Sequence, residues 1–268
     1  MADEMLVLKD LRKTFNPGTV MRKMALAGVD LTLNKGDFIT VIGGNGAGKS
    51  TMLNAIAGTF QIDNGTIILG GQDITHLPEH KRAALLGRVF QDPMTGTAAS
   101  MNIEENLALA YRRGQRRGLG WGISAKERIL YKEKLATLDL GLETRMSSKV
   151  GLLSGGQRQA LTLLMATLQK PELLLLDEHT AALDPKTAEK VLRLTRHLIE
   201  ENNLTALMVT HNMKDALALG NRTIMMHEGK VILDLNAEEK KHMTVEDLLA
   251  QFEKVSGHEL VNDRMLLT

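Results

Sequence analysis

The chain has 268 residues, of which 43% are hydrophobic, 24% charged and 3% aromatic, with a formal net charge of +1 and no cysteine. That length and apolar share suit a globular protein with a sizeable core. The near-neutral charge and scarce aromatics argue against a nucleic-acid partner, which needs a basic face and stacking rings, and the lack of cysteine excludes disulfides and thiolate-held metal centres. The acidic start, Met1-Ala2-Asp3-Glu4, does not read as a signal peptide. The longest apolar runs, around 161–168 and 173–176, are too short to cross a bilayer, so a membrane role is expected to need another subunit.

Alternating apolar residues predict strands over 5–11 and 26–33, with a turn at 34–37. Phe15 is expected in the loop after the first strand, where its ring either stacks on a purine or packs as a half-buried loop aromatic. A strand over 38–42 runs into Gly43, Gly44, Asn45, Gly46, Ala47, Gly48, Lys49 and Ser50, and a helix follows from Thr51 to Ala57, stopping at Gly58. This fits the phosphate-binding pattern G-x-x-x-x-G-K-[ST] in its proper strand–loop–helix setting. The glycines let successive backbone N–H groups turn inward on an anion, and the helix start adds its positive end. Lys49 then supplies a point charge for the β- and γ-phosphates, and Ser50 a hydroxyl for Mg2+.

Further strands are expected at 66–69 and 85–90, the second ending at Gln91, which reads either as a turn residue or as a group reaching a metal or water. From 94 to about 149 the pattern turns helical, with helices over 103–112 and 125–140, the latter capped by Ser124 with Glu127 three residues on. Between them, residues 112–122 form a basic, glycine-rich loop with the one tryptophan, Trp121, read as a solvated loop or as a contact surface for a partner or anionic headgroups. Leu153, Ser154, Gly155, Gly156 and Gln157 open a long helix to 168, a second helix start suited either to an anion or to plain capping. The all-apolar run 173–176 reads as a strand covered on both faces, and it ends in Asp177 and Glu178, where open α/β sheets bind ligands. After a turn at 182–185 come a helix over 186–202, a buried strand over 204–209 ending at Thr210 and His211, a helix over 213–219, and strands over 222–227 and 231–235. The charged tail, 237–268, holds one amphipathic helix over 245–252, which is expected to dock on the core or on a neighbour.

Taken in order, these motifs resemble those of the ABC-type ATPases, the nucleotide-binding subunits of ABC transporters. Residues 43–50 match the Walker A motif, Gln91 the Q-loop, 153–157 the signature LSGGQ letter for letter, 173–177 Walker B with Glu178 as the adjoining acid, 182–184 the D-loop and His211 the switch histidine. The resemblance covers about 5–235. It implies an α/β fold: a P-loop NTPase with a RecA-like core and mostly parallel sheet, plus an antiparallel β subdomain and an ABC-specific α-helical subdomain. Core and β subdomain would occupy about 5–93 and 166–235, the helical subdomain about 94–165, and a helical tail 236–268.

The resemblance also implies roles. Phe15 stands where the family often has an adenine-stacking tyrosine. Residues 43–51, Lys49 above all, hold the phosphates of ATP; Ser50, Gln91 and Asp177 hold Mg2+; Glu178 is the general base; His211 meets the γ-phosphate. Ser154, Gly155, Gly156 and Gln157 complete the ATP site of a second subunit, a copy of this chain or a related ATPase, packed head to tail. Further implied partners are membrane permease subunits and a periplasmic or lipid-anchored substrate-binding protein, with the chain peripheral on the cytoplasmic face of the membrane. The implied cargo is amino acids or related small solutes moving inward; an exporter ATPase or a non-transport regulatory ATPase is the alternative. A DNA-repair ATPase is excluded by the short segment between Walker A and signature, which has no heptad run, and a translation-factor ATPase by the single copy of each motif. One departure stands beside the catalytic acid: His179 occupies the place of the family's usual proline.

Overall fold

The computed structural model describes residues 3–115 and 122–256. In chain order the elements are β1 (Glu4–Phe15), β2 (Lys23–Asn34), β3 (Phe38–Ile42), α1 (Lys49–Ala57), β4 (Asn64–Leu69), β5 (Gln72–Asp73), α2 (Glu79–Arg82), β6 (Leu86–Val89), α3 (Ile103–Tyr111), α4 (Ala125–Ala136), α5 (Gly155–Thr167), β7 (Leu173–Asp177), α6 (Pro185–Asn202), β8 (Ala206–Val209), α7 (Met213–Ala218), β9 (Arg222–His227), β10 (Lys230–Leu235), α8 (Ala237–His242) and α9 (Val245–Ser256). They fall into two compact units, residues 1–82 with 204–268, and residues 83–203. Arg116, Arg117 and Trp121 of the basic loop, and the tail beyond 256, lie outside the described residues.

The first unit carries an antiparallel sheet in the order β2-β1-β4-β5. It also carries a mixed one, in which β3 is paired in parallel with β8 and β9, and β10 lies antiparallel on β9. Flanked on both edges, β3 is buried along its whole length, which is why its sequence is a continuous apolar run rather than an alternating one. Phe15 is not in a loop as expected: it is the last residue of β1, opposite Lys23 at the start of β2. The amphipathic tail helix α9 docks on this unit through Leu248 and Phe252, against Ile42, Met213, Ala216 and Met225. Arg82 is buried and donates to the carbonyls of Ala55, Ile56, Thr75 and Leu77, so it satisfies the C-terminal carbonyls of α1 that the helix itself leaves open.

In the second unit β6 and β7 run parallel, with Val89 opposite Leu176. The helices pack around Ile103, Leu107, Tyr131, Leu135, Leu161 and Leu164. Ser124 and Glu127 form the expected reciprocal cap of α4. That helix ends at Ala136 rather than near 140, because Asp139 (φ 53°) and Gly141 (φ 68°) take left-handed backbone that no helix can propagate through.

Candidate functional site

The first unit builds the phosphate loop at the end of its central strand. A Cβ at Gly43 (φ 148°) would overlap the Met226 carbonyl oxygen, and one at Gly48 (φ 101°) would lie 2.6 Å from the Ala25 carbonyl oxygen. Both positions therefore require glycine, on backbone and steric grounds together. The loop is clamped from outside: the Gly229 amide donates to Ala47 O at 2.9 Å, and the Ala27 amide to Gly229 O at 2.9 Å. Helix α1 begins at Lys49 with no side-chain cap, so its first N–H groups, Ser50 and Thr51 included, meet no capping oxygen from Gly48. The Lys49 side chain is buried, and its ammonium donates to Gly43 O (2.8 Å) and Gly44 O (3.1 Å). The charge is thus held inside the ring of the loop that an anion would occupy.

His211 reaches the same end of the same sheet. Val41 and Val209 are partners in the parallel pair β3–β8, so Gly43 and His211 each stand two residues beyond that pair. Thr210 is fixed by its amide to Val41 O (3.0 Å), and Asn212 caps α7 through Asp215 N (3.1 Å), so His211 sits between two anchored neighbours. Burial raises the Asp215 carboxyl above its ordinary pKa, an effect the nearby His211 opposes. Phe15, at the end of β1, is held edge-on by Phe60 with ring centroids 5.3 Å apart, and the Lys13 ammonium lies 5.7 Å from its centroid.

The second unit gathers the other candidates by the same strand-end logic. Since Val89 pairs with Leu176, Gln91 and Glu178 both lie two residues beyond a paired position, and Asp177 one beyond. Gln91 is exposed; Asp177 and Glu178 are half-buried. Glu178 has φ 42°, the left-handed region that a glutamate enters only when its surroundings impose it, and its carbonyl accepts from Ala181 N at 3.0 Å. Ser154 and Gln157 form a reciprocal capping box at the start of α5, which leaves Ser154 and Gly155 exposed. Arg158 braces the approach to that helix by donating to the carbonyls of Gly151 (3.1 Å) and Leu153 (3.1 Å). Beside Ser154, Gly156 and Gln157 opens a cavity of about 550 Å³, whose far wall is α6 with Thr187, Lys190 and Val191.

Two contacts here had no signal in the sequence. Gly156 is not only an exposer of N–H groups: a Cβ there would overlap the Thr187 methyl, so the second signature glycine is also what lets α5 and α6 approach. His179, next to the candidate base, is 2% exposed and its Nε2 lies 2.9 Å from Thr195 Oγ1 on α6. That hydroxyl spends its own proton on Val191 O (2.9 Å), so Nε2 is the donor to Thr195. Burial lowers the His179 pKa to about 4. The ring is therefore neutral near pH 7 and serves as a tie from the strand end to α6, not as a proton carrier.

The sign of its titration yields a test. The unfolded chain protonates this histidine below about 6.5 while the folded chain resists until about 4, so the stability it confers is complete above 6.5 and is lost as pH falls from 6.5 towards 4. His179→Gln is expected to flatten the fall in melting temperature across that window, by up to about 3 kcal/mol of unfolding free energy. Equal slopes for both proteins, measured by calorimetry, would contradict the buried neutral ring.

Residues 26–181, more than half of the chain, match the family model described as ABC transporter. The chain belongs to the ABC transporter family. It is 44% identical to the tyrosine transport ATP-binding protein of Clostridioides difficile (strain R20291), over 93% of this chain and 99% of that one. It is 32% identical to the spermidine/putrescine import ATP-binding protein PotA of Haemophilus influenzae over 85% of this chain, which spans 56% of that relative's length. Among solved structures it is similar to the dimeric ATP-binding cassette MJ0796 in a post-hydrolysis state bound to ADP and Pi, with a TM-score of 0.74 and 31% identity over 87% of this chain and 99% of that one. The fold is accordingly the ABC cassette fold, with a mixed sheet containing parallel strands, an antiparallel sheet and helices. As a member of this family the chain is an ATP-hydrolysing subunit. Among the described residues no helix is long and apolar enough to cross a membrane.

Proposed function

We propose that this ABC ATPase drives import of an amino acid through a separate membrane permease, as a dimer packed head to tail around two ATP molecules. The observation that carries the reading is the pairing of two kinds of helix start in one chain: the uncapped, lysine-bearing start of α1 and the exposed Ser154–Gly155 start of α5. Each offers backbone N–H groups to an anion. The dimeric, ADP-bound relative supports their meeting across ATP from two subunits, which one two-fold axis would make into two equivalent sites. Full-length likeness to a tyrosine transport protein makes aromatic amino acids the first cargo to try.

In this mechanism residues 43–51 and the Lys49 ammonium hold the phosphates, and Phe15 offers its ring to the adenine. The oxygen donors Ser50, Gln91 and Asp177 suit a hard divalent cation and would hold Mg2+, which would neutralise phosphate charge there. Glu178 accepts a proton from the attacking water as its oxygen bonds to the γ-phosphorus. The bond from that phosphorus to the bridging oxygen breaks, the electron pair stays on ADP, and His211 hydrogen-bonds the departing phosphoryl oxygens. The strained Glu178 backbone and the His179–Thr195 tie fix the base at the strand end. In the proposed assembly the chain lies at the cytoplasmic face of the membrane, bound through the permease, and a substrate-binding protein delivers cargo on the other side.

Co-expression with amino-acid permease subunits and a substrate-binding protein tests the reading. The chain is expected to co-purify with the permease and to support ATP-dependent uptake of labelled tyrosine into proteoliposomes. ATP hydrolysis without permease association would favour the regulatory alternative, and outward movement the exporter.

A further inference from the structure

The first residue of β2, Lys23, faces Phe15 across the β1–β2 ladder. Its ammonium stands over the phosphate loop: a Cβ placed on Gly46 (φ 78°) would lie 3.2 Å from Lys23 Nζ and within 4 Å of no other atom outside the neighbouring residues. The side chain is exposed, and its ammonium makes no hydrogen bond or ion pair with any described residue. A long cationic side chain lying against backbone without an acid beside it gains nothing there from the protein itself. The Lys49 ammonium, by contrast, is engaged with the carbonyls of Gly43 and Gly44.

We propose that Lys23 is a further nucleotide-binding residue, whose ammonium contacts the polyphosphate of the nucleoside tri- or diphosphate held in the loop. The cross-strand pairing supplies the geometry. One strand end carries the aromatic platform and the other carries the cation, so a nucleotide with its base on Phe15 and its phosphates in the loop passes Lys23 between the two. Gly46 is then glycine for a second reason, since a side chain there would push the ammonium off the loop. The inference rests on the ATP-binding reading above.

Titration of the full chain with a fluescent ATP analogue, or with ATP by calorimetry, tests it with Lys23→Met, Lys23→Arg and Lys49→Ala. Lys23→Met is expected to weaken ATP binding by about 5-fold at low salt, the scale of an exposed charge pair, and the gap is expected to close at about 0.5 M salt. Lys23→Arg is expected to retain most of the affinity, and the melting temperature of both Lys23 variants is expected to match the parent. Unchanged affinity in Lys23→Met while the parent binds ATP and Lys49→Ala does not would overturn the Lys23 contact alone. A loss that persists at high salt, that Lys23→Arg does not rescue, or that accompanies a lowered melting temperature would overturn it as well. Failure of the parent chain to bind ATP would instead overturn the reading on which it rests.

Discussion

Glu178→Gln is expected to bind ATP as the parent does and to hydrolyse it about 10²- to 10⁴-fold more slowly, the range by which a positioned general base contributes. The substitution keeps the size of the side chain and its place two residues beyond the Leu176 pair, but the amide cannot take the proton of the attacking water. The backbone at Glu178 supports this role. A glutamate with φ 42° costs about 1 kcal/mol or more, and it persists because the Ala181 amide bonds its carbonyl and His179 is tied into α6. Strain held by these two contacts at a strand end suits a fixed catalytic carboxylate. Phosphate release alongside nucleotide titration checks the outcome. Turnover at the parent rate would remove Glu178 from the chemistry.

Gly156→Ala is expected to lower ATP turnover by about 10²-fold or less and stability by about 1–3 kcal/mol, and Thr187→Ser is expected to recover much of both. The added methyl overlaps Thr187 Cγ2, so α5 and α6 must separate or Thr187 must turn. Thr187 belongs to the first turn of α6, where its amide donates to the Asp184 side chain at 3.1 Å. A displacement there reaches the D-loop acid as well as the signature. Serine lacks the offending methyl but keeps the backbone cap, which makes the double variant the informative one. If Gly156→Ala with Thr187→Ser stays as inactive and as unstable as the single variant, packing against α6 is not why this position is glycine.

The motifs were legible because each packs its chemistry into a few consecutive residues with a fixed local geometry. The phosphate loop, the capped α5 start and the apolar β7 run all stand where alternation, caps and glycines put them. What escaped had no local signature. Alternation in β1 fades after Leu11, yet the strand continues to Phe15: Asp10 takes φ 46° and the ladder shifts register on either side of Leu11, so a bulge absorbs the break in pattern. Helix α8 has almost no apolar face. It forms on the reciprocal cap of Asn236 with Glu239 and on Lys240, whose ammonium is buried against the carbonyls of Ala216 and Leu219. The tie between His179 and Thr195 spans sixteen residues, and Gly156 meets Thr187 from a different helix, so both emerge only from packing. Lys23 lies ahead of the strand expected over 26–33, and β2 takes it in only in the folded chain. Only the pairing with Phe15 and the nearness to Gly46 give it a place at the site.

In the proposed assembly this chain holds half of each ATP site and a second copy completes it. The most direct measurement is the mass of the purified Glu178→Gln chain by size-exclusion chromatography with light scattering, at saturating ATP and Mg2+. A dimer is expected with ATP and a monomer with ADP, and a monomer with ATP when Lys49→Ala is added. A chain that binds ATP under these conditions yet stays monomeric would contradict that assembly.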